Sequence, residues 1–592
     1  MTQINGRLSL LREAMIKAGV SACIIPGTDP HASEYIAGYW KEREWISGFD
    51  GSAGTVALTL EKAGLWTDSR YFLQGADQLK GTDIKLMKQG LPETPEIIPW
   101  LSVELKKGDK VAVNAEMFSI NSFSVMKTEL ALNDIELVSI DFMKDVWTDR
   151  PELPKKPFFV FDKKYAGKSV GEKLSELRSE MKKLHADVFV MSALDDIAWL
   201  FNIRGNDVDY NPVVIAYALV DEKTATLFIS SEKITAESKK YLDKNSIIVK
   251  GYFNIHDELR KIPKTKAVLV DGGKLNQSLY EAIPAECTKR TAMSPVFRLK
   301  SVKNKTEMKG VRNAMIKDGV ALTRFFMWLE RNLKKENLTE LSISGKLRSF
   351  REEQEGFRGE SFGTIAGYAG HGAIVHYKAT PESDAVIKNE GILLLDSGGQ
   401  YLDGTTDITR TIALNKPSKK EKRDYTMVLK GHIQLALAKF PVNTRGSQLD
   451  ILARKAMWDE GINYGHGTGH GIGHFLNVHE GPQNIRMDEN PVTLQPGMMI
   501  SNEPGLYRTD KYGIRIENLV QVIPAEKTEF GQFLKFETLT LCYIDTRLVD
   551  KNMLTNVERK WLNDYHQRVC KTLCPNLTEK ERKWLSRKTE AI

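Results

Sequence analysis

The pattern of apolar and polar residues near the start of the chain predicts a helix followed by a buried strand. Leu8, Leu11 and Met15 recur at helical spacing within Arg7–Gly19, and the glycine marks the expected end of the helix. The short apolar run Ala22–Ile25 that follows is typical of a strand inside a core.

The same helix–strand pattern returns in the second quarter of the chain. Lys173–Met181 repeats Arg7–Met15 with identical residues at five of nine positions, and Val188–Met191 repeats the strand. We infer two successive α/β domains of one fold, related by duplication. The alternative is chance similarity between two amphipathic helices.

Composition shifts predict where these domains end. Pro151–Pro157 contains three prolines, which disfavour both helices and central strands, so it is expected to be a linker. A second boundary is expected near Lys300–Asn304. After it, an apolar stripe at helical spacing opens a third domain; its members are Met308, Val311, Met315, Leu322 and Phe326. The predicted domains are therefore 1–155, 156–302 and 303–592, all of mixed α/β character.

Composition and charge exclude several classes of protein. The 592 residues are 41% hydrophobic, and 84 basic against 77 acidic residues is too even a balance to predict a nucleic-acid partner. We find no basic segment followed by an apolar core at the N-terminus, and no apolar run long enough to span a membrane. These features predict a cytoplasmic protein without a membrane partner.

Five scattered cysteines form no disulfide framework and fit a reducing compartment. Cys570 and Cys574 follow His566 at helical spacing, which would permit a metal site. A packed helix face is the better interpretation, because a fourth ligand is missing.

Carboxylates stand at the ends of apolar strands in the last third of the chain. Asp396 closes the run Gly391–Leu395, and Asp407 opens a second strand, so a hairpin would bring the two side by side. A third strand, Met498–Asn502, ends in Glu503.

A fourth strand is predicted over Gly513–Val522. Its alternation places Arg515 and Glu517 on one face and the isoleucines on the other. Two further carboxylates thus come from strands that otherwise belong in a core.

A glycine–histidine run lies between these strands. His466, His470, His474 and His479 fall within fourteen residues and are separated largely by glycines. Glycine permits close backbone approach, and histidine supplies a metal ligand or proton carrier near neutral pH.

Charge decides how the four carboxylates are interpreted. Crowded together without cations they would repel one another, whereas two divalent ions cancel four negative charges. With His470 they make a ligand set for two metals about 3.5 Å apart, with a shared water activated as hydroxide. Oxygen-rich ligation with one imidazole suits Mn²⁺, Zn²⁺ or Co²⁺. Asp396 and Glu503 taken singly could be turn residues, and Asp407 an exposed strand position, but their joint occurrence favours the metal site.

These sequence motifs, taken together, resemble those of the pita-bread metallopeptidases, which include methionine aminopeptidase, prolidase and aminopeptidase P. The resemblance to the three-domain, cytosolic type of aminopeptidase P covers nearly the whole chain. It rests on the segments Ser33–Ile36, Ser47–Thr55, Trp66–Gln74, Leu194–Leu200, Asn202–Gly205 and Asp403–Asp407. It implies two creatinase-like N-terminal α/β domains followed by a pita-bread catalytic domain.

The resemblance also implies roles for the metal ligands. Asp396 and Asp407 would bind one ion, with Asp407 bridging. His470 and Glu503 would bind the other, and Glu517 would bridge as well. Glu503 is in addition the expected proton acceptor for the attacking water.

Further side chains match positions that contact substrate in the family. His376 matches a histidine that assists at the scissile amide. His479 matches one that stabilises the tetrahedral intermediate and orients the substrate. His466 and Arg515 match residues that line the proline side, and Tyr507 is expected to support them.

The implied activity is hydrolysis of an N-terminal Xaa-Pro bond with release of the first residue, using two divalent ions, Mn²⁺ first among them. The implied partners are a peptide with proline in second position and a second copy of the chain. A dipeptidase of the prolidase type would share all five ligands, and a catalytically inactive binding module is the third alternative. His371 and His474 match no functional position, so structural roles are expected for both.

Overall fold

The computed structural model describes residues 3–592, which fall into two units. One unit extends to Lys163 and includes Lys168–Phe297, and the other comprises Lys164–Gly167 and Arg298–Ile592. All the predicted site residues belong to the second unit, which we call the catalytic unit.

The first unit contains two six-stranded sheets. The strands of the first sheet are β1 (Ala22–Pro26), β2 (Thr55–Thr59), β3 (Ala63–Thr67), β4 (Ile84–Lys88), β5 (Lys110–Val113) and β6 (Glu136–Ser139). Those that follow are β7 (Phe159–Val160), β8 (Val188–Met191), β9 (Ile203–Arg204), β10 (Tyr217–Asp221), β11 (Ala225–Phe228), β12 (Ile247–Lys250), β13 (Ala267–Val270) and β14 (Thr288–Thr291). β7 and β9 pair with each other, outside the second sheet.

Helices alternate with these strands along the chain, and two of them, at 163–166 and 295–301, extend into the second unit. The first six are α1 (Gln3–Lys17), α2 (Glu42–Ser47), α3 (Phe72–Gln78), α4 (Ile97–Glu104), α5 (Ile120–Ala131) and α6 (Met143–Val146). The next seven are α7 (Lys163–Ala166), α8 (Val170–Lys183), α9 (Leu194–Leu200), α10 (Ala236–Lys244), α11 (Ile255–Arg260), α12 (Gln277–Ala282) and α13 (Pro295–Ser301).

The two sheets have the same topology. The first runs β4-β3-β2-β1-β5-β6 and the second β12-β11-β10-β8-β13-β14, which is one order when each sheet's strands are numbered along the chain. Corresponding neighbours also share their parallel or antiparallel sense. The predicted duplication is therefore confirmed, and chance similarity of two helices is wrong.

The helix predicted near the start of the chain is confirmed as well. Leu8, Leu11 and Met15 on α1 are fully buried. Gly19 then adopts a φ of +64°, and its N–H donates to Ile16 O. Such left-handed backbone favours glycine, so the helix ends where the sequence predicted.

The catalytic unit contains six long helices and several small sheets. Its helices are α14 (Lys305–Asn332), α15 (Glu340–Glu352), α16 (Lys419–Ala436), α17 (Ser447–Trp458), α18 (Asn556–Leu573) and α19 (Glu579–Lys588). Its first strands are β15 (Phe357–Glu360), β16 (Ile365–Tyr368), β17 (Ile392–Ser397), β18 (Gly399–Tyr401), β19 (Gly404–Thr405), β20 (Ile408–Ala413) and β21 (Lys439–Pro441). The remaining strands are β22 (Gly469–His470), β23 (Asn484–Ile485), β24 (Met499–Asn502), β25 (Gly505–Arg508), β26 (Tyr512–Arg515), β27 (Asn518–Thr528) and β28 (Gly531–Thr538).

Two of these sheets position the candidate site. One has the order β16-β17-β20, and the other has the order β21-β28-β27-β24. Apolar side chains such as Met498, Ile500 and Val520 pack into a core beneath the second sheet. The carboxylates therefore stand on strands that packing holds in place.

One predicted strand is broken. The alternation over Gly513–Val522 predicted a continuous strand, but β26 ends at Arg515 and β27 begins at Asn518. The backbone of Glu517 between them is bound elsewhere, because its N–H donates to Thr409 O (3.1 Å) and its carbonyl accepts from Arg410 Nη1 (2.6 Å). Contacts to β20 thus override the local pattern.

The C-terminal cysteines lie at the end of α18, with Cys570 within the helix and Cys574 directly after it. Cys570 Sγ lies 3.3 Å from Cys574 Sγ, while buried His566 accepts a hydrogen bond from Ile544 N–H through Nε2 (3.0 Å). The histidine is thereby engaged with backbone, as the packing interpretation expected. Within residues 3–592, no helix is both long and apolar enough to cross a bilayer.

Candidate metal centre

The pairing of β17 with β20 brings the first two carboxylates together. The strands are antiparallel, with Asp396 opposite Thr409 and Ser397 opposite Ile408, so Asp407 follows at the end of the ladder. Both aspartates are buried. The predicted adjacency of Asp396 and Asp407 is confirmed. The two strands do not form a simple hairpin, because β18 and β19 lie between them along the chain.

The glycine–histidine run places His470 beside Glu503. His470 N–H donates to Ser501 Oγ (3.0 Å), and the Ser501 hydroxyl donates to Glu503 Oε1 (3.2 Å). A Cβ at Gly469 would overlap the carbonyl oxygen of Ser501. Glycine is therefore required before His470 for this close approach.

Ligand atoms from four separate segments converge. His470 Nε2 lies 3.4 Å from Asp407 Oδ2 and 3.4 Å from Glu503 Oε1. Ligand atoms of Asp407, His470 and Glu517 all lie within 4.8 Å of one another. Thr409 donates to Glu517 Oε2 (2.8 Å) and fixes that carboxylate.

Asp396 completes the set from the side of Arg515. Its Oδ2 accepts from Arg515 Nη2 (2.6 Å), whereas its Oδ1 is buried and has no hydrogen-bond partner among the described residues. A buried carboxylate oxygen without a partner is costly unless a cation binds it. The donor set, with this orphaned oxygen, fits a pair of divalent ions.

The carboxylates repel one another electrostatically. Burial raises the pKa of Asp396 to about 6, against the attraction of Arg515 and with the repulsion of Asp407. Burial and the charges of Asp407 and Glu503 raise the pKa of Glu517 well above its ordinary value, and burial raises that of Glu503. Burial lowers the pKa of His470, but its hydrogen bond to Asp407 and the charge of Glu503 outweigh this and raise it to about 9. Burial and mutual repulsion thus disfavour ionised carboxylates here unless cations bind them.

A chain of polar side chains extends from Asp396 to the glycine–histidine run. Arg515 Nη1 donates to Tyr507 Oη (2.7 Å), and Tyr507 Oη lies 2.7 Å from His466 Nε2. Arg515 is 1% exposed. The predicted substrate-side residues Arg515, Tyr507 and His466 are therefore joined into one wall beside the carboxylates.

The remaining histidines lie in different surroundings. His479 is half-buried, and its ring centroid lies 4.4 Å from that of His470. His376 is half-buried, and the carbonyl before it, Val375 O, accepts from Arg515 Nη2 (3.3 Å). His474 donates through Nε2 to Asp403 O (3.0 Å), which is the structural role expected of it.

Sequence reasoning missed the groups that lie behind the ligands. Asn502 precedes Glu503, Asn518 follows Glu517, and the two asparagines are paired across β24 and β27. Between them His432 Nδ1 donates to Asn502 O (3.1 Å), and its Nε2 accepts from Asn518 Nδ2 (3.0 Å). Asparagine at a buried strand position was the available signal, since it needs partners there.

Comparisons with known proteins identify the family. Two family models of the creatinase/prolidase N-terminal domain match residues 7–144 and 149–307. The model of metallopeptidase family M24 matches 309–524, and that of its C-terminal region matches 532–592. The chain is 41% identical to a probable Xaa-Pro aminopeptidase P of Coprinopsis cinerea, over 99% of this chain and 98% of the relative.

Solved structures give the same result. The X-prolyl aminopeptidase of Caenorhabditis elegans, described as a cytosolic enzyme with a di-nuclear active site, superposes with a TM-score of 0.96 at 35% identity and covers all of both chains. The Xaa-Pro dipeptidase of Bacillus anthracis is 24% identical with a TM-score of 0.51, and covers 63% of this chain and 98% of its own. The second likeness shows the fold alone.

Proposed function

The chain belongs to metallopeptidase family M24, and we propose that it is an aminopeptidase that hydrolyses N-terminal Xaa-Pro bonds with two divalent ions. The observation that carries the proposal is the convergence of four carboxylates and one imidazole, with a buried oxygen of Asp396 left without a partner. We assign the ions to Asp396, Asp407, His470, Glu503 and Glu517. Mn²⁺ is proposed before Zn²⁺ or Co²⁺, because hard oxygen ligands predominate.

The bound ions would polarise the scissile carbonyl and activate water for attack. The protein's own residues manage the protons. Glu503 keeps 17% of its side chain exposed, so it can face a substrate, and the Ser501 hydroxyl orients its Oε1. As a carboxylate beside the bound ions, Glu503 is assigned to accept a proton from the attacking water and to pass it on to the leaving nitrogen.

Two histidines are assigned to the reacting amide. His479 lies against His470, where an imidazole N–H can stabilise negative charge on the carbonyl oxygen. His376 is assigned to the scissile amide, beside the segment that contacts Arg515.

The wall formed by Arg515, Tyr507 and His466 is assigned to the proline side. Xaa-Pro is a tertiary amide without an N–H, so a site for it needs no acceptor at that nitrogen. The three side chains are linked by hydrogen bonds to one another. The shape of the wall and the faces of the Tyr507 and His466 rings are therefore what would select the pyrrolidine ring.

We also propose the finer organisation of the molecule. The domains are 1–155, 156–302 and 303–592, which the consecutive matches to two N-terminal family models and the M24 model support. A cytoplasmic location and a homodimer are proposed from the family resemblance, and sedimentation velocity would test the dimer.

One assay separates the alternatives. Protein stripped with EDTA is titrated with Mn²⁺, Zn²⁺ or Co²⁺, and free arginine from Arg-Pro-Pro and from Arg-Pro is quantified by mass spectrometry. Metal-dependent release from the tripeptide supports the proposal, with Asp396→Asn as the inactive control. Hydrolysis of Arg-Pro alone would indicate a prolidase-type dipeptidase. Two bound ions without hydrolysis of either peptide would indicate a binding module.

A further inference from the structure

The segment between β16 and β17 carries a catalytic histidine on almost no regular structure. Residues 369–391 contain one 3₁₀ turn, Ala369–Ala373, and His376 lies just beyond it. Ala369 adopts a φ of +50°, a conformation that L side chains rarely adopt. Contacts with neighbouring elements must therefore hold the segment in this shape.

One buried carboxylate, Glu340 in the first turn of α15, accepts four hydrogen bonds from this segment and from the residue that precedes it. Its Oε1 accepts from Tyr368 N–H (2.8 Å) and His371 Nδ1 (3.0 Å). Its Oε2 accepts from Tyr377 Oη (2.8 Å) and Ala385 N–H (3.2 Å). Along the chain, two of these donors precede His376 and two follow it, and Tyr377 is its immediate neighbour.

The position of Glu340 explains why a carboxylate is used. It is fully buried and lies at the N-terminus of a helix, where exposed N–H groups favour negative charge. Hydrogen bonds to an ionised acceptor are stronger than neutral ones, so a single carboxylate can bind several donors firmly.

The clamped segment is pressed against the substrate wall. A Cβ at Gly513 on β26 would overlap the carbonyl of Gly372, so the 3₁₀ turn lies directly on that strand. Val375 O accepts from Arg515 Nη2 (3.3 Å), two residues beyond Gly513. Movement of the segment would therefore displace both His376 and a contact of Arg515.

We propose that Glu340 is a positioning residue for His376, which it holds through the donors of Tyr368, His371, Tyr377 and Ala385. The inference depends on the proposed function, in which His376 acts at the scissile amide. Within residues 3–592, the hydrogen bonds of the Glu340 carboxylate go to these donors and to none of the proposed metal ligands.

His371 makes the clamp dependent on pH. Its hydrogen bond to Glu340 raises the pKa of His371, against the opposing effect of burial, and its ring stacks on Tyr377 at 4.4 Å. Of the titratable groups nearby, Glu340 on α15 bonds to His371 and Tyr377 stacks on its ring. Asp384 acts on Tyr377, and the backbone of Asp510 lies against Gly370. Protonated His371 adds a charge to the clamp, and that contribution is lost as the pH rises through the raised pKa.

Hydrogen exchange tests the clamp without relying on activity. Glu340→Gln keeps the shape of the side chain but removes its charge, so exchange should rise in peptides covering 368–385 and stay unchanged in those covering 392–413 and 466–480. Glu237→Gln, an exposed acid in the first turn of α10, is the matched control for loss of a helix-terminal charge. Unchanged exchange in 368–385, or a rise throughout the catalytic unit, would overturn the proposal.

Kinetics test the positioning of His376. In Glu340→Gln, kcat for Arg-Pro-Pro should fall by about tenfold or more, with two ions still bound and KM little changed. His371→Asn keeps a donor near the position of Nδ1, so it should retain activity but lose the decline in activity that follows deprotonation of His371 as the pH rises. His371→Phe keeps the ring stack but has no donor, so it should lose activity. Equal behaviour of these two variants, or a loss of thermal stability alone, would refute the role. A wild type that hydrolyses no peptide would refute the proposed function, while hydrogen exchange would still decide on the clamp.

Discussion

Removal of the metal ions should make the stability of the catalytic unit fall as the pH rises. Without ions, burial raises the pKa of Asp396 from 3.8 to about 6. Between these values the folded chain holds a proton that the unfolded chain has released, so the free energy of unfolding falls with pH. His470 acts in the same sense at higher pH, because its pKa is raised from 6.5 to about 9. Its stabilising contribution is complete below the lower value and lost towards the upper one.

The size of the effect follows from the shift at Asp396. A displacement of about two pKa units corresponds to about 3 kcal/mol at about 1.36 kcal/mol per unit. For a unit of about 300 residues, with an unfolding entropy of about 2.1 cal/mol/K per residue, that free energy lowers Tm by roughly 5 °C. Bound ions should abolish the fall, since their ligands are already deprotonated.

Differential scanning calorimetry of EDTA-treated protein from about pH 4 to about pH 7 measures the effect. Asp396→Asn should show a smaller fall in this range, with the remainder coming from Glu503 and Glu517, whose pKa values burial also raises. Asp488→Asn, which changes an exposed carboxylate, should keep the full fall. If Tm of the stripped wild type stayed constant or rose with pH, the electrostatic account of the site would be wrong.

Two substitutions test the assigned chemistry. Glu503→Gln should remain folded, because Gln can still accept from Ser501, yet lose about a hundredfold or more in kcat since it cannot accept the proton; wild-type turnover would disprove that assignment. His479→Ala should lower kcat by about a hundredfold with metal content unchanged, as expected on removal of an oxyanion donor. A change confined to Tm would show that His479 merely packs on His470.

Elements and ligands with a strong local signal could be predicted from the sequence. Asp396 and Glu503 stand out because a charged residue ends an apolar run that packing forces into the core. The repeated helix and strand of the first unit were detectable for a similar reason, since Leu8, Leu11 and Met15 follow the period of the helix they form.

Features that depend on distant contacts could not be predicted. The break at Glu517 arises from hydrogen bonds to Thr409 and Arg410, 107 or more positions away, while the local alternation continues across it. Glu340 gave no signal either, because an acidic residue in the first turn of a helix is ordinary at an exposed terminus. Only the fold shows that four donors from a distant segment meet it.

The charges of the site explain why the fold keeps Arg515 beside the ligands. Four carboxylates carry four negative charges, and the guanidinium on Asp396 offsets one of them. With one divalent ion the site would keep a net negative charge, which would destabilise the developing oxyanion of amide hydrolysis. Two ions leave a single positive charge, which matches the negative charge that must be stabilised in the transition state. With this buried arginine in contact with the ligands, two ions, and not one, give the site the net positive charge that stabilises the transition state.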